Sequence, residues 1–336
     1  MNVFELSKQL IKIKSLSGHE EPLFQFLSKL LTREGFTVKK ILSAHHRPNL
    51  FAYIQKPRIL FSSHMDTVPP AIPFHQDSQY LYGRGACDTK SIIAAQIVAG
   101  LKLKARGIKD FGFLYVVGEE VDHRGAIDCA SKIPKVEALI MGEPTQNTLA
   151  AGTKGIVKVT LKAFGKAAHS AYPELGRSAI HGLLETLFRI QNMPREKSSF
   201  LGFSNLNIGV LEGGVAANVL APLAQAQILV RTVSSSRTVY RQMKKLCLPH
   251  VKINLESMND PIRLDTMLGF KTSIVSFNTD LPYLKKKARK LFLLGPGSIL
   301  DAHGPHEKIS KKELLRSVEL YQRLVFQIVT RPSTRR

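Results

Sequence analysis

The sequence predicts an α/β protein that contains a mixed, mostly parallel sheet and an inserted α/β sandwich of the ferredoxin-like kind. Two observations predict this fold. Up to residue 151, short apolar runs rich in β-branched and aromatic residues alternate with helical periodicity, a pattern typical of parallel sheets covered by helices. From residue 152 onward the pattern becomes strand, helix, two strands, helix, strand, which indicates a small open sandwich.

The first domain begins with helical periodicity over residues 1–35, where apolar side chains recur every three to four positions. A long helix is predicted at SIIAAQIVAGLKLKARG, between two strands, and this order favours parallel pairing. Four segments are predicted as buried strands: NLFAYIQ, PRILFSSH, FGFLYVVGEE and VEALIMGEP.

The inserted domain is predicted at residues 152–257. Residues 1–151 and 258–336 then form the two parts of the first domain, because the last candidate ligand described below lies in the C-terminal segment. The predicted strands and helices of the insertion are, in chain order, GIVKVTLKAFG, GRSAIHGLLETLFRIQNM, SNLNIGVLEGG, AQAQILVRTV, SRTVYRQMKKLC and VKINLES.

The chain is strongly basic, with 48 Lys and Arg against 26 Asp and Glu and a formal charge of +22. A field of this sign attracts nucleic acid, anionic lipid or an acidic protein, although a solvated basic surface is the favoured explanation of the excess. Basic residues cluster at KKILSAHHR, at YLKKKARK and in the tail RPSTRR. No helix-turn-helix, zinc-finger spacing or aromatic-interleaved basic motif accompanies them, which disfavours a nucleic-acid partner.

The cellular location is predicted to be the cytoplasm, without a membrane partner. The N-terminal segment is interrupted by charges and lacks the continuous apolar stretch of a signal peptide or membrane span. Cys87, Cys129 and Cys247 are odd in number and widely spaced, without a CxxC pair, so reduced thiols are expected.

Residues of metal-ligand type stand at the ends of several apolar runs. Imidazole and carboxylate ligands suit zinc or its harder divalent neighbours, and the lack of a thiolate cluster argues against a structural zinc finger. Because ligands of open α/β sheets bind at the carboxyl ends of strands, these side chains are expected to meet there. They are, in chain order, His64, Asp66, Asp88, Glu119, Glu120, Glu143 and His303.

The spacing of these residues suggests separate roles. A bridging carboxylate can hold two cations about 3.5 to 4 Å apart, and Asp88, in a loop opened by GRG, is the best candidate. Of the adjacent Glu119 and Glu120, one can bind a metal while the other stays free as general base. Asp66 lies two residues beyond His64, where its carboxylate can orient the imidazole.

Seven motifs, in this order, closely resemble those of the M20 metallopeptidase and deacylase family: HMDTVP, GRGACDTKS, GEE, GEPT, AHSAYPELGRSAI, NIGVLEGGVAANVLAP and LDAHGPHE. The family includes acetylornithine deacetylase, succinyl-diaminopimelate desuccinylase and hydrolases that release lysine or ornithine from a carrier protein. The resemblance spans almost the whole chain. It implies a zinc-peptidase-like catalytic domain, an inserted lid or dimerisation domain, and a homodimer.

The resemblance also implies two divalent metal ions, zinc with cobalt as the alternative. His64 and Glu143 would hold one ion. Glu120 and His303 would hold the other, and Asp88 would bridge the two.

The remaining catalytic roles follow from the same resemblance. Glu119 would be the general base, and His169 would polarise the scissile carbonyl of a neighbouring active site. Asn218 and Arg231 resemble the residues of the family that contact the substrate carboxylate, and a guanidinium is suited to bidentate carboxylate binding.

The sequence departs from the family pattern near two candidate ligands. Thr89, Lys90 and Ser91 follow the bridging aspartate, where a methionine before the lysine and a glycine after it are more usual. His306 stands where the family often has asparagine and competes with His303 for one ligand role, which the family register assigns to His303. The resemblance further implies a cis peptide bond after Asp88.

These observations predict a two-metal amide hydrolase that removes an acyl group from an amino-acid derivative. The leading hypothesis is an acetylornithine deacetylase-like enzyme of arginine or lysine biosynthesis. The alternatives are a hydrolase that releases lysine or ornithine from an acidic carrier protein, and a dipeptidase or carboxypeptidase. A nonenzymatic binding module is disfavoured because the chain retains the free base Glu119.

Overall fold

The computed structural model describes residues 1–330, and the basic tail RPSTRR lies outside them. The chain forms two compact units: residues 1–151, 264–273 and the segment from 279 onward make the first, and residues 152–263 and 274–278 make the second. The main segment of the second unit extends beyond the predicted boundary at residue 257, because the last strand of its sheet continues to Asn259 and a short strand follows at Ile262–Arg263.

The helices are α1 (Val3–Lys12), α2 (Glu21–Arg33), α3 (Lys90–Ala105), α4 (Arg124–Ala130), α5 (Ala179–Gln191), α6 (Ser236–Leu246), α7 (Leu281–Leu284) and α8 (Lys311–Thr330). The strands of the first 151 residues are β1 (Thr37–Leu42), β2 (Pro48–Tyr53), β3 (Ile59–His64), β4 (His75–Gln76), β5 (Tyr80–Tyr82), β6 (Phe111–Val116) and β7 (Val136–Met141), and β8 (Leu149–Thr153) follows them. The later strands are β9 (Gly155–Phe164), β10 (Lys197–Ser198), β11 (Gly202–Phe203), β12 (Asn205–Gly213), β13 (Leu223–Thr232), β14 (Val251–Asn259), β15 (Ile262–Arg263), β16 (Thr272–Val275), β17 (Ala288–Leu293) and β18 (Lys308–Ser310).

The sheet of the first unit has six strands in the order β1-β2-β6-β3-β7-β17. The strands β6, β3, β7 and β17 are parallel to one another, whereas β2 pairs antiparallel with both β1 and β6. The α/β fold with a mixed, mostly parallel sheet is therefore confirmed. Helix α3 packs against α1 and α8 and is buried on nearly all sides, which explains why it is apolar all round.

The N-terminal region differs from its prediction. The helical periodicity of residues 1–35 is divided between α1 and α2, because the chain turns at Gly18, whose φ of 96° is a conformation that glycine adopts without strain. Within residues 1–330, no helix is both long and apolar enough to cross a membrane.

The second unit contains a four-stranded antiparallel sheet in the order β12-β13-β9-β14. Helices α5 and α6 pack on this sheet and enclose a separate core of Val, Leu, Ile and Ala side chains. Strand, helix, two strands, helix, strand is the order that the alternation of the sequence predicted. Strand β12 forms one edge of the sheet.

Candidate metal centre

The candidate ligands are brought together by the ends of three neighbouring strands. Strand β3 ends at His64, Glu119 and Glu120 follow β6, and Glu143 follows β7. Because β6, β3 and β7 are adjacent and parallel, their carboxyl ends meet at one edge of the sheet. The two glutamates lie in a turn rather than at the predicted extended strand end.

One group of ligand atoms consists of His64, Asp88 and Glu143, and these atoms lie within 4.8 Å of one another. The His64 Nε2 atom is 3.0 Å from Asp88 Oδ1. Glu143 is buried, and its Oε1 atom has no hydrogen-bond partner among the described residues. An uncompensated buried carboxylate oxygen is costly, so this group suits a cation.

A second group consists of Asp88, Glu120 and His303. The His303 Nε2 atom lies 3.0 Å from Glu120 Oε1 and 3.3 Å from Asp88 Oδ2. The two oxygens of Asp88 therefore face different groups, as a carboxylate that bridges two ions would. It is His303, not His306, that lies in this group, and its φ of 63° is uncommon for a histidine.

Asp66 connects the ligand His64 to the two glutamates. Its carbonyl oxygen lies 3.0 Å and its Oδ1 atom 3.6 Å from His64 Nδ1, so both face the second ring nitrogen. Its carboxylate also accepts the backbone N–H groups of Glu119 and Glu120, at 3.1 and 3.3 Å, and the hydroxyl of Ser17 at 2.8 Å. The sequence indicated the first contact but not the other three.

Glu119 belongs to neither ligand group in the described part of the chain. Burial raises the pKa of its carboxyl group well above the ordinary value; the charge of His64 opposes this shift and that of Asp280 adds to it. Its Oε1 atom lies 3.9 Å from His123 Nδ1, and that nitrogen is 2.9 Å from Asp280 Oδ1. Glu119 is thus placed beside both groups without being part of them.

A buried ion pair stabilises the loop that carries Asp88. Arg84 donates to Glu307 Oε2 at 2.7 Å, and Glu307 Oε1 accepts the N–H groups of Cys87 and Asp88, both at 3.0 Å. The Asp88–Thr89 peptide bond is cis, as the resemblance implied. Glu307 therefore positions the shared carboxylate.

The site contains more acidic side chains than basic ones. Burial raises the pKa of Asp88, but hydrogen bonds from His303 and His64 outweigh it and hold that pKa below its ordinary value. Hydrogen bonds to Asp88 and Glu120 raise the pKa of His303 to about 10. Burial raises the pKa values of Glu120 and Glu143, and the negative charge of Asp88 adds to both shifts. This excess of buried carboxylates fits a pair of divalent cations, and the nitrogen and oxygen donors suit zinc.

The predicted substrate-contacting residues all lie in the second unit. His169 is exposed, its Nδ1 atom accepts the N–H of Ala171 at 3.1 Å, and its backbone pairs with Val219. The carbonyl of Asn218 accepts the N–H of Ser170 at 2.9 Å, so the segments of His169 and Asn218 lie side by side. Arg231 lies on β13, opposite Ile156 of β9.

Two contacts of the site have no signal in the sequence. The His123–Asp280 pair joins residues 157 positions apart, and the Arg84–Glu307 pair joins residues 223 positions apart. Neither pair has the fixed spacing that marks a ligand motif, so only folding identifies them.

Comparison with known sequences shows that this chain is similar to peptidases. Residues 60–327 match the pattern of peptidase family M20/M25/M40. A peptidase M20 domain-containing protein of Schizosaccharomyces pombe is 38% identical over 96% of this chain and 84% of its own length. A probable carboxypeptidase of Paracoccidioides brasiliensis is 35% identical over 98% of this chain and 86% of its own length.

Solved structures share the fold at lower identity. The aminopeptidase PepT of Bacillus cereus aligns with a TM-score of 0.80 at 21% identity and covers 98% of both chains. A dinuclear metal-binding peptidase of the M20 family from Bacillus subtilis aligns with a TM-score of 0.71 at 14% identity and covers 97% of both chains. These alignments support the α/β architecture over nearly its whole length.

Proposed function

Because the chain belongs to peptidase family M20/M25/M40, we propose that it is a dinuclear metallopeptidase of the carboxypeptidase or dipeptidase type. As a family member it is a metal-dependent hydrolase that acts on a C–N amide bond. Its relatives are named peptidases and carboxypeptidases, which favours the peptidase alternative over an acetylornithine deacetylase-like enzyme of amino-acid biosynthesis. The observation that carries the proposal is the pair of three-residue ligand groups that share Asp88.

In this proposal His64 and Glu143 would hold one metal, Glu120 and His303 would hold the other, and Asp88 would be shared by both. Bound metals would polarise the scissile carbonyl and lower the pKa of the attacking water. Zinc is the metal that this donor set suits best, with cobalt as the alternative.

Glu119 is the proposed general base. Its carboxylate takes a proton from the attacking water and later gives that proton to the nitrogen of the departing amine, so the base is regenerated at the end of each cycle. The hydrogen bond from its own N–H to Asp66 fixes its backbone. His169 is proposed to donate to the developing oxyanion, and Asn218 and Arg231 to bind the carboxylate of the substrate.

Two adjacent substitutions test this division of roles. Glu119→Gln should lower kcat by about 10² to 10⁴-fold and leave the metal content unchanged, because it removes a proton carrier and no ligand. Glu120→Gln, its matched control, should lower the metal content. Turnover would be followed on dipeptides, N-acylated amino acids and carrier-linked lysine, with metal measured by atomic emission. Full activity of Glu119→Gln, or loss of metal from it, would refute the assigned role.

A second candidate is the release of lysine or ornithine from an acidic carrier protein. The segment after α7 is basic, with Lys285, Lys286 and Arg289 exposed. The ring of Tyr283 of α7 lies 4.9 Å from the ring of His123, which is beside Glu119. Together with the net charge of +22, this basic segment would attract an acidic carrier. This second candidate predicts that kcat/KM for the carrier-linked substrate decreases steeply as the salt concentration rises. A salt-independent rate would exclude this candidate.

The predicted homodimer remains a proposal, supported by the surface of the second unit. Leu184 and Phe188 of α5 and Leu211 of β12 are 48%, 65% and 54% exposed. They line a groove of about 540 Å³ beside the edge strand β12. A second copy of the chain that pairs along this edge would cover the apolar groove.

We also propose a cytoplasmic location, which the three free cysteine thiols support.

A further inference from the structure

A cavity of about 400 Å³ lies in the first unit and contains none of the candidate metal ligands in its wall. One part of the wall is apolar and includes Ile11, Leu16, Ile72 and Phe74. The volume falls in the range of small-molecule sites, which combine an apolar wall with a few polar groups.

The polar part of the wall is cationic. Lys12, Lys14, Arg84 and Lys90 line the cavity, and no Asp or Glu is among the described residues that do so. The charge of Arg84 is balanced by Glu307 at 2.7 Å. The side chains of Lys12, Lys14 and Lys90 form no ion pair within the described residues. The cavity therefore carries more positive charge than Glu307, the carboxylate that acts on Arg84 and Lys90, can balance.

Lys90 is the residue that makes this cavity unusual. It is 2% exposed, and its Nζ atom donates to the carbonyl of Ile13 at 2.5 Å, the one hydrogen-bond acceptor that the described residues give it. An ammonium group has three N–H donors, so two remain available beside the cavity. A buried cation without an ion-pair partner is costly, and an anion bound next to it would reduce that cost.

We propose that this cavity is a binding site for a small organic carboxylate with an apolar body. The carboxylate would contact Lys90 and the apolar body would lie against Ile72 and Phe74, while Lys12 and Lys14 would add attraction from the exposed rim. The lack of an acidic wall residue disfavours ligands that also carry an ammonium group, so free amino acids are not the expected occupants. The site is thus distinct in chemistry from one that binds the product of peptide hydrolysis.

The first experiment measures binding of 4-bromobenzoate to the metal-loaded protein by calorimetry. A saturable interaction is expected, whereas 4-bromobenzamide, which lacks the charge, and 4-bromophenylalanine, which adds an ammonium group, should bind at least about tenfold more weakly. Equal binding of the amide would overturn the proposal, because the cationic wall would then contribute nothing.

The second experiment locates the ligand. Bromine anomalous scattering from a crystal soaked in 4-bromobenzoate should place the ring in this cavity, with the carboxylate within hydrogen-bond distance of Lys90. Bromine found only at the metal centre, or nowhere, would overturn the assignment.

Substitutions distinguish attraction by the lysines of the cavity wall from attraction by the net positive charge of the protein. Lys90→Met should weaken binding at least about tenfold, and Lys14→Gln by a smaller factor. The matched control is Lys29→Gln, because Lys29 is exposed on α2 and does not line the cavity. If Lys90→Met does not fold, the double variant Lys12→Gln/Lys14→Gln provides the test. Unchanged affinity in the folded cavity variants, or an equal loss in the control, would contradict the site.

Discussion

The substitution Glu307→Gln tests whether the Arg84–Glu307 ion pair stabilises the loop that carries Asp88. Arg84 and Glu307 are 4% and 1% exposed, and their ion pair is surrounded by protein. In the variant, the amide oxygen can still accept the N–H groups of Cys87 and Asp88, but its NH₂ group then faces the guanidinium of Arg84, and two donors meet. The charge of Arg84 loses its partner in either amide orientation. Removal of one member of a buried pair costs about 3 to 5 kcal/mol, so a loss of about 3 kcal/mol in unfolding free energy is expected.

The assay is urea unfolding of the metal-free protein, followed by a metal-affinity titration against a chelating indicator. Glu319→Gln is the matched control, since Arg316 and Glu319 are paired at 3.0 Å on an exposed surface and this change should cost less than about 1 kcal/mol. Arg84→Met combined with Glu307→Gln should cost less than the sum of the two single changes, because the double variant leaves no unpaired charge. A Glu307→Gln protein as stable as Glu319→Gln would refute the reasoning.

Three further predictions concern the surface, the thiols and the metals. Phe188→Glu should convert the proposed homodimer to monomer in sedimentation equilibrium, whereas Leu315→Glu, at an exposed position of α8, should leave the association state unchanged. Native alkylation with iodoacetamide at pH 8 should modify Cys247 first, because burial shields Cys87 and Cys129 and raises the pKa of Cys87 well above its ordinary value and that of Cys129 to about 12, whereas Cys247 is partly exposed; peptide mass mapping that finds Cys87 or Cys129 modified before Cys247 would contradict this. Zinc at about 100 times its Kd should stabilise the protein by about 2.7 kcal/mol in thermal unfolding, and Asp88→Asn should lose most of that gain.

The sequence could predict which residues meet in the two candidate ligand groups because several of them are marked by their place in the chain. His64 and Glu143 directly follow strand patterns that are buried and apolar, so a local signal indicates both the element and its end. The carboxyl ends of adjacent parallel strands then meet without further information. The boundary near residue 257 was less well predicted, because β14 and β15 continue the same alternating polar pattern across it.

The pair of residues beside Glu119 could not be predicted in this way. His123 and Asp280 come from the turn after β6 and the start of α7, and each looks like an ordinary loop residue in its own segment. Their pairing depends on how α7 packs against α4, which no local period encodes. Contacts between distant segments are fixed by tertiary packing, so they emerge only from the folded chain.

Asp66 shows why the two metal groups and the base are best regarded as one structural unit. Its carboxylate accepts the N–H groups of Glu119 and Glu120, and it also faces the imidazole of His64. One buried side chain therefore fixes a ligand of each group together with the proposed base. A shift in this carboxylate would move all three, so the effects of substitutions at these positions cannot be additive. The geometry of the candidate site thus depends on a residue that belongs to neither ligand group and is not the proposed base.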